Sequence, residues 1–508
     1  MKLLLIALLI TSGLGLLNAP LVVLLPLCAL TGFIIWLTGI PAGLEALAGV
    51  PLTWADGHMV LDPIGGFFLV ILSLVCGAVA LNMVGEAQSR REAGETDRAL
   101  SLHLGLSFAF ILTMVLTISV RNLGLIWVCI EGTTLISTLL IGSEKKRSSI
   151  EAAWKYVILC TVGLSFSLFG LILFVQAGIA AGTAGSLDPI VLVQHAAKLP
   201  LPLFKLGFIL ILVGFGTKAG FAPLHFWLPD AYSQAPTSTS ALLSGVLLNC
   251  SVYALIRVTI VMNQTGLGSF AQNCLLGFGM VSVLLSTLFL LVQSDLKRLL
   301  AYSSVEHIGL IALGLGLGSP LALFATGIHT MAHSLAKSLA FLSAGDMVRY
   351  FHSQDMHRMV GTIKRMPMCG GGLALALTAL AGIPPFPLFF TELMLVGAAL
   401  AMGQTVIAIV MLAALVTAFS GLTFHGTRVL LGEDALHHHH DRSEAQDHEH
   451  TVVDNPQTLR IMTAGRFWRH TSLVILAGML MLLPLGLFQP FSAIFELFGM
   501  YLKGWNGQ

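Results

Sequence analysis

Two charges of opposite sign stand in strongly apolar stretches of this sequence: Glu131 within IWVCIEGTTL and Lys218 within GFGTKAGFAP. A charge at the centre of a membrane helix costs about 2.5–3.5 kcal/mol on insertion scales. A chain that keeps several such charges has a use for them. Apolar surroundings disfavour the charged form of a lysine, and a nearby carboxylate restores it. Moving the carboxylate would let Lys218 release a proton, so the two residues are expected to act as a switchable pair. The blander alternative is a fixed structural ion pair. A second group lies in HTMAHSLAK, where His329, His333 and Lys337 recur every four residues. Four residues make one helical turn plus about 40°, so all three share one face and form a ladder of titratable groups. H-x-x-x-H can chelate zinc from one helix. Here no matching carboxylate or third histidine is near in sequence, and Lys337 would repel the ion, so no metal is expected. Bis-histidine haem is not expected either, because two histidines on one helix face cannot reach opposite sides of one iron. Glu392 follows three prolines in AGIPPFPLFFTEL. A broken membrane helix frees backbone groups and admits water, which suits an ionisable group. Glu392 is therefore a candidate terminal proton carrier, or else a cap of the second half-helix.

Weaker candidates accompany these. His225 and Asp230, in PLHFWLPDA, could help water to enter. Lys297, in SDLKRLL with Asp295 and Arg298, is an interfacial anchor that could reach inward. Glu306 and His307 lie in YSSVEHIG, and His307 reads as more structural than functional. Arg257 is expected to snorkel towards a membrane surface. The histidine-rich stretches HHHH (437–440) and DHEH (447–450) are expected to be a flexible loop rather than a metal site.

The elements that must position these residues follow from composition. Of 508 residues, 56% are hydrophobic and 10% are charged, against about 25% charged in an ordinary soluble domain. The bilayer is the solvent that fits. With roughly 20 apolar residues per crossing, about fourteen spans are expected: 1–17, 20–39, 62–85, 102–120, 122–142, 153–178, 204–229, 239–262, 270–292, 300–317, 321–345, 368–402, 404–431 and 472–490. Residues 1–17 have the look of a signal peptide but are taken as the first span. The seventh span, with Gly214, Gly216, Gly220 and Pro223, should be interrupted. The twelfth, with Pro384, Pro385 and Pro387, should be broken. Interrupted spans five apart point to two inverted five-span repeats, spans 4–8 and 9–13, around a central transport site. The expected domains are residues 1–100, with three spans; 101–263 and 264–431, one repeat each; and 432–508, with the histidine-rich loop, the last span and a short tail. Residues 41–61 are expected to form a small hairpin outside the membrane.

Loops after odd-numbered spans carry most of the Lys and Arg, including Arg90, Arg91, Lys145, Lys146, Arg147, Lys297 and Arg298. By the positive-inside rule these loops face the cytoplasm, and both termini lie on the other, periplasmic side of a bacterial inner membrane. The net charge of +1 implies no nucleic-acid partner. The seven cysteines are scattered without a C-x-x-C, against a cluster, a zinc knuckle or a disulfide framework.

Taken together, Glu131, GTKAGFAPLHFWLPDA, SALLSGVLLN, SDLKRLLAYSS, HTMAHSLAK and PPF…TE resemble the proton-translocating antiporter-like subunits of respiratory complex I, multi-subunit cation/proton antiporters and membrane-bound nickel–iron hydrogenases. EAAWKYVILCTVG, YSSVEHIG and PPFPLFFTE bring it nearest to the branch of hydrogenase-4 component F. The resemblance implies an all-α polytopic fold of fourteen helices with two inverted repeats and a hydrated axis at the membrane midplane. By position it also implies that Glu131 and Lys218 are the charged pair, that His329, His333 and Lys337 are the central relay, and that Glu392 is the terminal carrier. One departure stands out. Several family members have a histidine or lysine in the eighth span. Here that span offers Ser244, Asn249, Cys250 and Ser251, so the bridge from Lys218 to the histidines must use water or the eleventh span. The long lateral helix of one complex I subunit is not expected.

The resulting expectation is a proton-translocating membrane subunit of a larger redox-driven complex, with no cofactor or redox centre on this chain. Its partners would be other membrane subunits, a peripheral redox or uptake module and the lipid bilayer. The rivals are a sodium/proton antiporter subunit, a membrane partner of a carbon-uptake complex, and a purely structural scaffold.

Overall fold

Over its described residues, every expected span coincides with one helix or with a broken pair of helices. In chain order the principal helices are α1 (Lys2–Leu16), α2 (Leu21–Leu47), α3 (Pro63–Glu92), α4 (Asp97–Ile118), α5 (Leu123–Ile141), α6 (Arg147–Ala181), α7 (Leu201–Ala219), α8 (Trp227–Gln234), α9 (Thr237–Gln264), α10 (Gly268–Leu291), α11 (Leu296–Leu317), α12 (Pro320–Phe351), α13 (Pro367–Leu380), α14 (Pro387–Ala401), α15 (Thr405–Leu431) and α16 (Arg466–Leu482). This computed structural model describes residues 1–433 apart from 56 and 58, residues 456–484, and residues 495, 496 and 499. The expectations for HHHH (437–440), DHEH (447–450) and the tail beyond residue 499 lie outside the described residues. Among the described residues, ten helices are long and apolar enough to cross a membrane, and α1, α13 and α14 are apolar but shorter.

The helices sort by burial. α3, α9, α11 and most of α12 are buried on all sides. The outer helices turn large apolar side chains outward, such as Trp154, Phe169 and Ile172 of α6 and Val406, Ile409 and Leu412 of α15. In water such a surface would be untenable, whereas lipid tails solvate it. Lys297, Glu306, His307, His329, His333 and Lys337 lie on the inner helices α11 and α12, whereas Glu131, Lys218 and Glu392 lie on α5, α7 and α14.

Both interrupted spans are broken. α7 closes on Gly220 in the left-handed region (φ +85°), and α8 restarts at Trp227. The freed groups between them find partners. Trp227 Nε1 donates to the Thr217 carbonyl at 2.9 Å, and the Ala222 amide donates to Ser282 Oγ at 2.9 Å. The twelfth span divides into α13 and α14, with Gly382 left-handed (φ +64°) and Pro387 opening α14. A further irregularity lies in α9, where Leu243–Leu247 form a π-helical turn. Such turns are rare and gather at functional positions.

Three local expectations need correction. Residues 41–47 continue α2, and only Leu52–Trp54 and Met59–Leu61 pair as the small antiparallel hairpin. Part of the expected 432–471 loop is helical: Pro456–Thr463 form a short helix, and Arg466 begins α16. Arg257 does not snorkel. It is 1% exposed and holds Asp62 through two bonds of 2.5 Å, while also donating to Tyr253 Oη at 2.8 Å. Asp62 is itself the N-cap of α3 and accepts from the Gly65 amide at 3.0 Å. A guanidinium fork matched to a buried carboxylate removes the reason to reach for the surface.

Removing one partner of such a pair leaves a buried charge and costs about 3–5 kcal/mol. Arg257→Ala is therefore expected to lower the thermal midpoint of the detergent-purified protein, with Asp62→Leu/Arg257→Met recovering most of the loss.

Candidate functional site

Lys218 lies in the buried last turn of α7 with no exposed surface. Its ammonium donates to Thr134 Oγ1 of α5 at 2.9 Å and to Tyr156 Oη of α6, and it lies 4.5 Å from the Tyr156 ring centre. Tyr156 Oη also meets Ser137 Oγ at 2.6 Å, and its ring packs edge-on to Trp227. Glu131 stands one turn before Thr134 on α5. Its Oε1 accepts from Thr161 Oγ1 of α6 at 3.3 Å, and its Oε2 is buried without a partner. The expected pair is thus not closed: no ion pair joins Glu131 to Lys218, because Thr134 and Tyr156 occupy the ammonium. The three-residue offset along α5 is about 4.5 Å of axial rise, so the two charges face the same α5–α6 wall one turn apart.

The missing titratable residue of the eighth span is replaced by amide and hydroxyl groups. Asn249, on the turn after the π-helical segment, donates from Nδ2 to the Gly245 carbonyl at 3.0 Å and to Ser334 Oγ of α12 at 2.7 Å. Ser244 Oγ meets Ser304 Oγ of α11 at 2.9 Å. Ser334 adjoins His333. α9 therefore meets α11 and α12 through polar groups that carry no charge.

His329, His333 and Lys337 lie on α12 without exposed surface. Each step is about 6 Å of rise. Lys337 Nζ donates to the Leu300 carbonyl of α11 at 2.9 Å, and both ring nitrogens of His333 lack a partner. His307, from α11, inserts between the rungs. Its ring centre is 5.1 Å from that of His329 and 5.3 Å from that of His333, and its Nδ1 lies 3.1 Å from His329 Nε2. His307 thus belongs to the cluster, against its reading as a packing residue. Glu306, beside it on α11, is 1% exposed with Oε2 unpartnered.

The tautomers follow from one hydroxyl. Thr391 Oγ1 of α14 lies 2.9 Å from both the Leu388 carbonyl and His329 Nδ1. A carbonyl only accepts, so the single hydroxyl proton goes to Leu388. His329 Nδ1–H then donates to Thr391, leaving the His329 Nε2 lone pair to accept from His307 Nδ1–H.

Glu392 follows Thr391 on α14 and is 8% exposed. It is not a cap, since it sits five residues after Pro387 and α14 has no side-chain cap. Its carboxylate rests against Gly382 in the break, where a β-carbon would overlap Oε2. One ligand atom from each of His307, His329 and Glu392 lies within 4.8 Å of the others. The carboxylate and extra histidine that the sequence did not place near His329 therefore arrive from two other helices.

The weaker candidates separate. Lys297 is buried, donates to the Ala235 carbonyl at 3.0 Å, and borders an open polar cavity of about 680 Å³ with Glu86, Arg90, Glu144 and Arg349. Asp230 pairs with Arg298 and with Lys155 at 3.2 Å, tying α8 to α11 and α6. His225 is 1% exposed and stacks on Phe226. Neither stands in the central row. Sequence reading missed Tyr156, Thr134, Ser137, Ser304, Ser334 and Thr391, whose types are common in apolar helices and whose partners lie 19 to 85 residues away.

The match to the NADH:quinone oxidoreductase/Mrp antiporter transmembrane family model covers residues 120–417. The chain is 36% identical over 389 residues to a hydrogenase-4 component F homologue of Methylacidiphilum infernorum, spanning 73% of this chain and 80% of that one. It is 32% identical over 378 residues to NADH-quinone oxidoreductase subunit N of Desulforudis audaxviator, spanning 73% and 72%. A chain of the Mrp complex from Dietzia sp. DQ12-45-1b superposes over 100% of this chain and 99% of its own, with a TM-score of 0.82 at 20% identity.

A side chain at Gly382 must both enter the left-handed region, at about 1–2 kcal/mol, and displace Glu392. Gly382→Ala is expected to lower the thermal midpoint, and Glu392→Asp, which shortens the carboxylate, to recover part of the loss in a double-mutant cycle.

Proposed function

Because the chain belongs to the NADH:quinone oxidoreductase/Mrp antiporter transmembrane family, we propose that its buried row of charges carries protons across a bacterial inner membrane for a redox-driven complex. The observation that carries this reading is the succession of buried polar clusters on neighbouring helices, with water needed between the Lys218 cluster and Asn249 and between Ser334 and His333. The row runs from Glu131 and Lys218, by Thr134 and Tyr156, over the Asn249–Ser334 and Ser244–Ser304 contacts, to His333, His307 and His329, and ends at Glu392.

A lysine held by two neutral hydroxyls, with its carboxylate one turn away, is poised to change charge state when the carboxylate approaches or withdraws. The proton is taken up from the cytoplasmic side at Lys218. It crosses the α9 junction on water ordered by the amide and hydroxyls. On α12 the spatial order is Lys337, His333, His329, with His307 joining the last two. His307 and His329 share a hydrogen bond and can pass a proton along it by exchanging tautomers. Glu392, the most exposed member of the cluster and set at a helix break, releases it on the periplasmic side. Both termini then lie on the periplasmic side, and the two broken spans belong to inverted five-span repeats. The gradient opposes each charge by about 2.3 kcal/mol per 100 mV, within reach of a change in one ion pair.

The relatives are named as a hydrogenase-4 component and as a quinone oxidoreductase subunit. The partners that fit are therefore other membrane subunits and a peripheral redox module that supplies the driving reaction. A sodium path would need convergent oxygen ligands, and this row is instead dominated by lysine and histidine.

In sealed vesicles carrying the assembled complex, Lys218→Ala and Lys337→Ala are each expected to cut redox-driven proton translocation at least about tenfold, equivalent to ~1.4 kcal/mol on the barrier. Electron transfer should proceed more slowly or uncoupled. Full pumping in both variants would leave the chain a scaffold, and acceleration by sodium would favour the antiporter reading.

A further inference from the structure

We propose that His307, His329 and Glu392 form a binding site for a divalent transition-metal ion of the zinc class, acting as a regulatory ligand of the row rather than a resident cofactor. The three residues come from α11, α12 and α14, and one ligand atom from each already lies within 4.8 Å of the others. Two nitrogens on a tetrahedral zinc, each about 2.0–2.1 Å from the ion, stand roughly 3.4 Å apart. His307 Nδ1 and His329 Nε2 are 3.1 Å apart. An ion can replace the proton between them with a shift of a few tenths of an ångström.

The outer contact of His329 suits a ligand histidine, while His307 Nε2 has no partner. A metal-bound imidazole holds its orientation by donating its other N–H to a nearby acceptor. His329 does this in place, donating from Nδ1 to Thr391 Oγ1 at 2.9 Å, while Thr391 is oriented by the Leu388 carbonyl. The lone pair of His329 Nε2 is thereby aimed into the cluster. His307 needs only its other neutral tautomer to present a lone pair from Nδ1.

Charge is compensated locally. Glu392 supplies one negative charge as a ligand, and the buried Glu306, with Oε2 unpartnered, stands beside His307. Lys337, two turns along α12 from His329, directs its ammonium to the Leu300 carbonyl. His333 has both nitrogens unpartnered and a ring centre 5.3 Å from that of His307, so it is a neighbour able to complete the coordination only after moving. Access is from the helix break, where Pro384 and Pro385 are exposed and Glu392 is the least buried of the three ligands.

A bound ion would take the lone pairs on which proton transfer depends and would fasten α14 to α11 and α12. That consequence rests on the transport reading, whereas binding does not.

The test uses the full chain, purified metal-free in detergent. His437, His438, His439, His440, His448 and His450 are replaced by Ser to remove the other histidine-rich stretches. The probes are Co²⁺, followed by its tetrahedral visible absorption, and Zn²⁺ in competition. The expected result is one Co²⁺ per chain, displaced by Zn²⁺. Affinity should fall at least about tenfold in His307→Gln and in Glu392→Gln, and about tenfold in Thr391→Val, which keeps all three ligands and loses only the orienting contact. His333→Gln should bind as the parent does. Absence of a stoichiometric ion, or equal affinity in His307→Gln, Glu392→Gln and Thr391→Val, would overturn the site. No proton flux enters the measurement, so it fails or succeeds separately from the proposed transport.

Discussion

The organising constraint is the cost of keeping ionisable groups inside a bundle surrounded by lipid. Polar partners from other helices offset that cost for most of these groups, though His333 has none. Lys218 is satisfied by α5 and α6, Lys337 by α11, His329 by α11 and α14, and Arg257 by the start of α3. These contacts make the burial tolerable and also fix how the helices meet. The same need fits three of the backbone irregularities. The breaks at 220–226 and 381–386 and the π-helical turn at 243–247 occur beside Lys218, Glu392 and Asn249. A regular helix would leave no backbone groups or space for polar partners there.

The buried contacts fall into two kinds. Asp62–Arg257, hydrogen-bonded through both carboxylate oxygens, and Asp346–Arg469, in charge contact at 3.2 Å, are ion pairs that join distant parts of the chain. They serve as fasteners. Along the central row, by contrast, charges meet neutral partners: Lys218 meets hydroxyls, Lys337 a carbonyl, His307 another histidine. Fully paired charges hold their protonation state, while charges held by neutral groups can exchange it. This difference separates transport from scaffolding within a single set of buried charges. It also explains why the histidine cluster can present lone pairs to a metal ion.

Much of this was legible in the sequence. Over the described residues, each expected span fell on a helix or a broken pair of helices because twenty apolar residues leave few alternatives, and both breaks were marked by glycine or proline. The spacing of His329, His333 and Lys337 placed them on one face, since that spacing is local to one helix. What spacing could not show was the relation between helices. Glu131 and Lys218 were expected as a switchable pair because their charges are opposite, but the sequence could not show what stands between them. The intervening Thr134 and Tyr156 carry no sequence signal that separates them from ordinary packing residues. His307 looked structural because its partners lie 22 and 26 residues away on α12. Arg257 gave no sign of Asp62, 195 residues away. The absence of a titratable residue in the eighth span was visible, but its replacement by Asn249 and Ser334 depends on how α9 and α12 cross.

That junction carries the central claim, because a proton route that spans the membrane must pass from the Lys218 half to the histidine half. The most direct measurement is redox-driven proton translocation in sealed vesicles bearing Asn249→Leu, with assembly of the complex verified in the same preparation. Leucine keeps the volume and removes the amide that joins α9 to Ser334. If the row is the path, translocation falls several-fold or more while the complex remains assembled. Undiminished translocation in an assembled Asn249→Leu complex would show that protons cross elsewhere and would contradict the account.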